Sequence, residues 1–546
     1  MAQLISSFAF LVVLLRAAIL CLQTVAVGGV VFFAAVARRT EQRTDDLLRS
    51  GWKLIHYCAL GLALAELFFI IVNSLVLSYS VGIPIQNVLG ANFVSAGVLG
   101  IVGALALVCW PQAWRKTGGL IALVPAAMIV GASVLTSHSA SRLEGRWFLI
   151  VLTALHYIAT AAWIGALPYL LLAKKRIADG QPKEEVLHSF SRLAQASVAV
   201  LFLAGLGMSW KFVGSWDALY GTAYGVMLSA KIALFAVLLL LGAANFFIVR
   251  GANTGWTAGA ASLLRFGEVE IGIGLTVILA ATSMTSQPPG ADLTEDRVSL
   301  HEIAQRYAPR MPRLTSPHLK EITPSTEQMA KDAAAAGKAL PVAFVSSSSG
   351  INIDTPADRA WSEYNHNVAG LVVLLMGILA LLSRSRYFPW AKVWPLAFLL
   401  LAVFLFFRAD PENWPMGPNG FWKSFAVTDV LQHRAAVLLI IIFAIFQYRV
   451  ETNRVKSAAA ALVFPAVCAL GGVVLLTHTH ALVNIKEELL AELSHTPLAV
   501  LGIVAGWSRW LELRLPQQND SRKYLAWVWP ICFILVGLVL MDYHEM

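Results

Sequence analysis

Residues 222–250 read TAYGVMLSAKIALFAVLLLLGAANFFIVR, and Lys231 is the only charge in this stretch before Arg250. An apolar run of about 20 residues is long enough to cross the hydrocarbon core of a bilayer as a helix. Lipid offers no hydrogen-bond partner to the backbone, so a crossing segment must be a helix or belong to a closed barrel. The stretch therefore predicts a transmembrane helix.

The same pattern recurs along the 546-residue chain, of which 58% is hydrophobic and 13% is charged. Soluble domains carry about 25% charged residues, so a soluble enzyme and a disordered chain are excluded. The apolar runs are continuous, unlike the alternating strands of about ten residues that build membrane barrels. We predict an all-α, polytopic membrane helix bundle with about 14 transmembrane helices. The predicted spans lie near 8–36, 52–80, 91–112, 118–138, 147–173, 189–213, 222–250, 264–286, 364–383, 390–408, 426–449, 457–478, 493–513 and 523–543.

A polar stretch rich in proline and charge interrupts this pattern and separates eight predicted helices from six. We predict three parts: an eight-helix membrane domain over 1–286, a periplasmic loop or small cap over 287–362, and a six-helix membrane domain over 363–546. Within the polar stretch, residues 326–340 have the composition of a short helix.

The lysines and arginines of the short loops are unevenly divided between the two sides of the membrane. One alternate set of loops carries 24 of them and the other set carries 6. Cytoplasmic loops are enriched in Lys and Arg, so both termini and the polar stretch are predicted to face outward. In a bacterium this means the inner membrane with periplasmic termini. The net charge of +9 then reflects topology and does not indicate a nucleic-acid partner.

Ten of the twelve histidines fall on the predicted outer side or in the outer leaflet. Imidazole is the commonest metal ligand and also titrates near neutral pH, so this layer predicts a metal site, a haem site or a proton path. We expect His138 and His156 to be the main ligands of a metal site in the first half of the chain. A second cluster is expected from the histidines of the other half, which are His366, His433, His478, His480 and His495.

Three methionines, Met208, Met227 and Met284, also lie toward the outer ends of predicted helices. Thioether sulfur combined with imidazole suits copper, and Cu(I) in particular. We therefore expect these methionines to join His138 and His156 in an outer-leaflet copper site. Packing alone is the commoner role of methionine in a membrane helix.

Charges inside the apolar runs are costly in a membrane and indicate function by default. Glu66 lies nearest the predicted midplane, and Arg16 or Lys231 is its expected partner. The alternatives are a structural ion pair and a carboxylate that carries a proton or a cation.

Several short motifs of the first half resemble the copper resistance protein D (CopD) family, over about 135–290. The second half resembles the C-terminal extension of longer CopD-type proteins. The first-half motifs are His138-Ser139-Ala140, Leu155-His156-Tyr157, Ala162-Trp163-Ile164-Gly165, Phe190-Ser191-Arg192-Leu193, Ser209-Trp210, Thr222-Ala223-Tyr224-Gly225, Lys231, Asn245 and Glu270. Those of the second half are Asp410-Pro411-Glu412-Asn413-Trp414-Pro415 and Gln432-His433-Arg434.

The resemblance implies an inner-membrane protein that transports or delivers copper, often beside a periplasmic copper-binding partner of CopC type. Direction and driving force stay open, although the chain has no P-loop for ATP. One alternative is an electron-transfer protein with haem b held by two imidazoles of the second half. Another is a scaffold for a periplasmic partner, which would use the long polar stretch.

Overall fold

The structure, a computed structural model, describes most of the chain, and every structural statement below refers to that part. The described residues are 8–36, 45–110, 120–176, 183–250, 256–285, 287–295, 297–322, 355–411, 413–425, 428–477, 485–517 and 519–544. The helix expected at 326–340, together with His478 and His480, lies outside these ranges.

Helices are the regular structure of the described residues, which confirms the all-α prediction. We number those of ten or more residues. They are α1 (Phe8–Val31), α2 (Asp45–Val81), α3 (Asn92–Val108), α4 (Leu123–Leu135), α5 (Arg146–Thr160), α6 (Leu167–Arg176), α7 (Lys183–Phe212), α8 (Ala223–Arg250), α9 (Trp256–Met284), α10 (Pro356–Leu382), α11 (Ala397–Arg408), α12 (Thr428–Glu451), α13 (Val463–Thr477), α14 (Ile485–Arg514) and α15 (Ser521–Met541).

Ten helical segments of the described residues are long and apolar enough to cross a membrane, and two shorter apolar helices, α3 and α4, accompany them. The protein is therefore a multi-pass membrane protein in contact with the lipid bilayer. The total of 14 spans and their division into eight and six remain predictions.

The chain forms two compact units. The first contains residues up to 297, and the second contains 298–476 and the chain from 480 onward. Residues 298–322 of the polar stretch belong to the second unit and pack against its helices: Tyr307 donates a hydrogen bond to the carbonyl of Leu493, and Arg313 pairs with Glu363.

The helices of the first unit approach one another where their residues are small. Gly28 of α1 and Gly165 lie in contact, and Gly165 closes a π-helical turn over Ala161–Gly165 between α5 and α6. A methyl group added to Gly165 would lie 1.9 Å from the carbonyl oxygen of Thr24. Small residues permit such backbone contact between membrane helices, so this glycine fixes the position of α1 beside the turn.

The second unit has an aromatic core in which Trp394, Phe464 and Trp529 are fully buried and their rings contact one another. The indole of Trp529 donates to Glu512, which also pairs with Arg384 and Arg509. A network that satisfies each charge lowers the cost of burying them. This unit is thus built independently around its own core.

Candidate metal site

The structure brings Met208, Met227 and Met284 into one cluster of the first unit, although they belong to three different helices, α7, α8 and α9. Met227 and Met284 are buried, and Met208 packs against them while partly exposed. The rings of Phe212 and Tyr224 complete the cluster. Three thioethers therefore lie in a shared apolar environment near one end of the helices.

His138 reaches the same cluster from a short helix, His138–Ser141, that lies between α4 and α5. The centroid of its ring is 6.4 Å from that of Phe212. The backbone carbonyls of Met284 and Thr285 lie within hydrogen-bonding reach of the imidazole. Its Nε2 is buried and finds no hydrogen-bond partner among the described residues. Since buried polar atoms are normally paired, this nitrogen is available to a ligand.

The imidazole of His138 is held neutral by its surroundings. Burial lowers the pKa of His138, and the charges of Arg16 and Arg142 lower it further, while the carbonyls of Met284 and Thr285 oppose the shift. A neutral imidazole keeps the lone pair that a metal requires.

Two hydroxyl groups connect the histidine helix to the methionines. Thr153 of α5 donates a hydrogen bond to the sulfur of Met208 over 3.4 Å, and its Oγ1 lies 2.6 Å from the hydroxyl of Ser139. Ser139 follows His138 directly. This buried pair of hydroxyls thus fixes the short helix against the helices that carry the sulfur atoms.

His156 lies deeper than the cluster, three residues beyond Thr153 on the same face of α5. At 1.5 Å per residue this is about 4.5 Å further along the helix. Its Nδ1 is buried and has no hydrogen-bond partner in the described part of the chain. Lys231 is its electrostatic neighbour. His156 and Lys231 therefore lie beyond the cluster and not within it. This placement suits successive sites along a path better than one closed site.

The segment that follows α9 is joined to the first unit by ion pairs. Asp292 accepts two hydrogen bonds from the guanidinium of Arg142, over 2.8 and 2.9 Å. Arg297 pairs with Asp217. The pKa of Asp217 is lowered mainly by a hydrogen bond with Ser215 and, to a smaller extent, by one from Arg297. Both ion pairs are partly exposed, so each contributes little to stability.

Glu66 is buried in α2, and its carboxylate faces Gly97 and Gly100 of α3. Of the two expected partners, Arg16 lies near enough to act on it electrostatically, but its guanidinium lies over the Phe69 ring at 5.4 Å. Within the described residues, neither Arg16 nor Lys231 forms a direct ion pair with Glu66. A carboxylate that carries a proton or a cation is the alternative that the next experiment tests.

We expect Glu66→Gln to fold normally and to lose the copper transport that the family resemblance implies, because glutamine keeps the size of the side chain but carries neither charge nor proton. Copper accumulation in cells and the midpoint of thermal unfolding measure the two effects. Glu144→Gln, at an exposed position, serves as the control. Full transport by the Glu66 variant would contradict a carrier role, and a large loss of stability would indicate a structural one.

Glu270 is a second buried carboxylate, which was not among the charges predicted to have a role within the apolar runs. It accepts hydrogen bonds from the Asn245 amide and from Trp163. All three residues belong to the motifs that resemble CopD, and the structure joins them across α8, α9 and the π-helical turn. Its place seven residues into a predicted span was the available signal.

Three histidines of the predicted second cluster, His366, His433 and His495, lie among the described residues of the second unit. His366 and His495 are close, with ring centroids 6.3 Å apart, whereas His433 pairs with Asp410 over 2.7 Å. No group of three or more His, Cys, Asp or Glu side chains in the described ranges is arranged to hold a metal ion.

Comparison with known proteins adds an independent association with copper. Residues 184–284, which contain the three methionines, match the family model described as copper resistance protein D, CopD. The copper transport protein CutJ of Bacillus subtilis (strain 168) is 31% identical over 160 residues, which is 29% of this chain and 28% of CutJ. No solved structure matches the chain. Spanning helices and the family match together identify a copper-related, multi-pass membrane protein that contains a CopD region in its first unit.

Proposed function

We propose that this protein transports copper across the bacterial inner membrane, or delivers it at the periplasmic face, through a site formed by His138, Met208, Met227 and Met284. The observation that carries the proposal is the buried, unpartnered Nε2 of His138 beside three clustered thioethers. Together with the CopD region, the name of the copper transport relative supports a transporter or metal-handling protein in preference to an enzyme.

The donor set suits Cu(I) as the cargo. Thioether and imidazole donors select soft copper, and all four are neutral at pH 7, so they bind the ion without neutralising its charge. Because neutral donors do not neutralise the charge of Cu(I), the site can release the ion as well as capture it, and transport requires both steps. His156 with Lys231 and then Glu66 provide the next polar groups for a path from this end toward the middle of the unit.

We further propose that both termini are periplasmic and that a CopC-type protein exchanges copper at the outer face. The uneven loop charges support this orientation. Alkaline phosphatase, which is active only in the periplasm, should be active when fused after Met546. A reporter active only in the cytoplasm should stay inactive at the same position, and the reverse pattern would overturn the orientation.

Met227→Leu and Met284→Leu test the site without emptying the core, because leucine and methionine differ little in volume. We expect each change to weaken Cu(I) binding at least about tenfold, comparable to the loss of one outer-shell partner, and to leave folding intact. Competition with a Cu(I) chelator measures the affinity. Met311→Leu, at an exposed methionine, is the matched control, and equal affinities in all three variants would refute thioether ligation.

A further inference from the structure

A cavity of about 910 Å³ in the second unit is lined mainly by α12, α13, α14 and α15, with His366 of α10 at one end. Its described lining follows α14 from His495 to Ala505 and α15 from Leu540 back to Cys532. The first of these stretches is about 15 Å long, so the cavity is elongated along the helices. Its volume is within the range of about 300–1,000 Å³ that is typical of small-molecule sites.

One end of the cavity is polar and the rest is apolar. His366 of α10 and His495 of α14 are the only side chains with nitrogen or oxygen among the described lining residues. Nδ1 of His366 lies 2.8 Å from the carbonyl oxygen of Ser362, to which it donates, so Nε2 is the nitrogen left for a ligand. Tyr543 stacks on the other side of this ring at 3.9 Å. The two imidazoles form a fixed polar end.

The cavity is reached from the side of α12 and α13. Leu439 and Ile442 on α12 and Val467 on α13 line it, yet they are 66%, 55% and 45% exposed at the apolar surface. In a membrane these faces meet acyl chains. A ligand can therefore enter from the bilayer without crossing a polar surface.

We propose that this cavity binds a lipid-soluble quinone, with a ring oxygen hydrogen-bonded to the imidazoles of His366 and His495 and the isoprenoid tail along α13 and α14. A quinone oxygen accepts a hydrogen bond and a quinol hydroxyl donates one, and a neutral imidazole provides both functions. Phe443 and Phe533 offer aromatic surface to the ring. The site is in the second unit and does not depend on the copper site of the first.

Other occupants fit less well. A lipid with a charged head would require a cation, but Arg306 donates to the Ser494 hydroxyl, lies over the Tyr543 ring and is not among the described lining residues. Haem b extends equally on all sides of an iron held between two imidazoles, whereas the described lining extends from His495 to one side, toward Ala505. A neutral head with a single tail matches this shape.

The test is binding of decyl-benzoquinone to the full chain in nanodiscs, measured by equilibrium dialysis. We expect saturable binding that decylbenzene, which has the same tail and no oxygen, does not compete for. His366→Ala and His495→Ala should each weaken binding at least tenfold. Gly471→Leu should weaken it as well, because this lining glycine has no atom within 4 Å of the added side-chain position and leucine there would take up part of the space beside the lining.

Gly205→Leu in α7 is the matched control, since that glycine also has open space beside it but lies in the first unit. It should bind quinone as the wild type does. If the histidine variants fail to fold, Gly471→Leu still tests quinone binding in this cavity, because it leaves both imidazoles in place. Equal affinity for decylbenzene, undiminished binding to Gly471→Leu, or a Soret band in the purified protein that the histidine variants lose would each overturn the proposal.

Discussion

His138→Ala is expected to remove Cu(I) binding from the methionine cluster. Loss of an outer-shell partner costs metal affinity about 10–100-fold, so loss of the imidazole ligand itself should cost more than about 100-fold. The buried Nε2 has no competing hydrogen bond in the described structure. Folding should be retained, because the change removes a half-buried ring from the edge of the cluster.

Chelator competition measures the affinity, and copper-dependent growth shows whether the site matters in the cell. His301→Ala is the control, because that histidine is exposed and bonds only Gln305 among the contacts that the structure describes. Unchanged Cu(I) affinity in His138→Ala would exclude this histidine as a ligand. A comparable loss in His301→Ala would show that the effect is not specific to the cluster.

Gly165→Ala should be the most damaging small substitution in the first unit. The new methyl group would lie 1.9 Å from the carbonyl oxygen of Thr24 and 2.7 Å from its carbonyl carbon. Backbone atoms cannot rotate away as a flexible side chain can, so α1 would have to move from the π-helical turn. Overpacking usually costs about 1–3 kcal/mol and occasionally more, and we expect this site to lie at or above the upper end.

Gly131→Ala provides the comparison, because the added methyl group there meets only a Leu99 methyl at 3.9 Å. In a helix interior alanine is favoured over glycine by about 1 kcal/mol, so this variant should be as stable as the wild type or more stable. Thermal unfolding in detergent gives the two midpoints. Equal midpoints for Gly165→Ala and Gly131→Ala would show that the contact between Gly165 and Thr24 does not fix α1.

The helices were predictable because hydrophobicity is a local property. The predicted span 222–250 corresponds closely to α8, Ala223–Arg250. Where a helix begins at a different residue from the one predicted, the cause is again a local feature of the sequence. Helix α10 begins at Pro356, earlier than the predicted 364, because Thr355 and Asp358 form a capping box around a proline at the first helical position.

The sequence by itself determined the membrane class, the all-helical fold and the residue types of the candidate site. The location of Met208, Met227 and Met284 near one end of their helices followed from the spans and the loop charges, since both depend on local composition. These features need no knowledge of which helices are neighbours.

Tertiary structure alone decided which of these residues meet. The rotation of each helix about its axis places His138 beside the methionines, His156 beside Lys231 and His366 beside His495, whereas His433 turns to Asp410. That rotation is set by close contacts such as Gly165 with Thr24, which join segments far apart in the chain. Such pairings depend on packing between helices, and no local pattern of hydrophobicity or charge contains them.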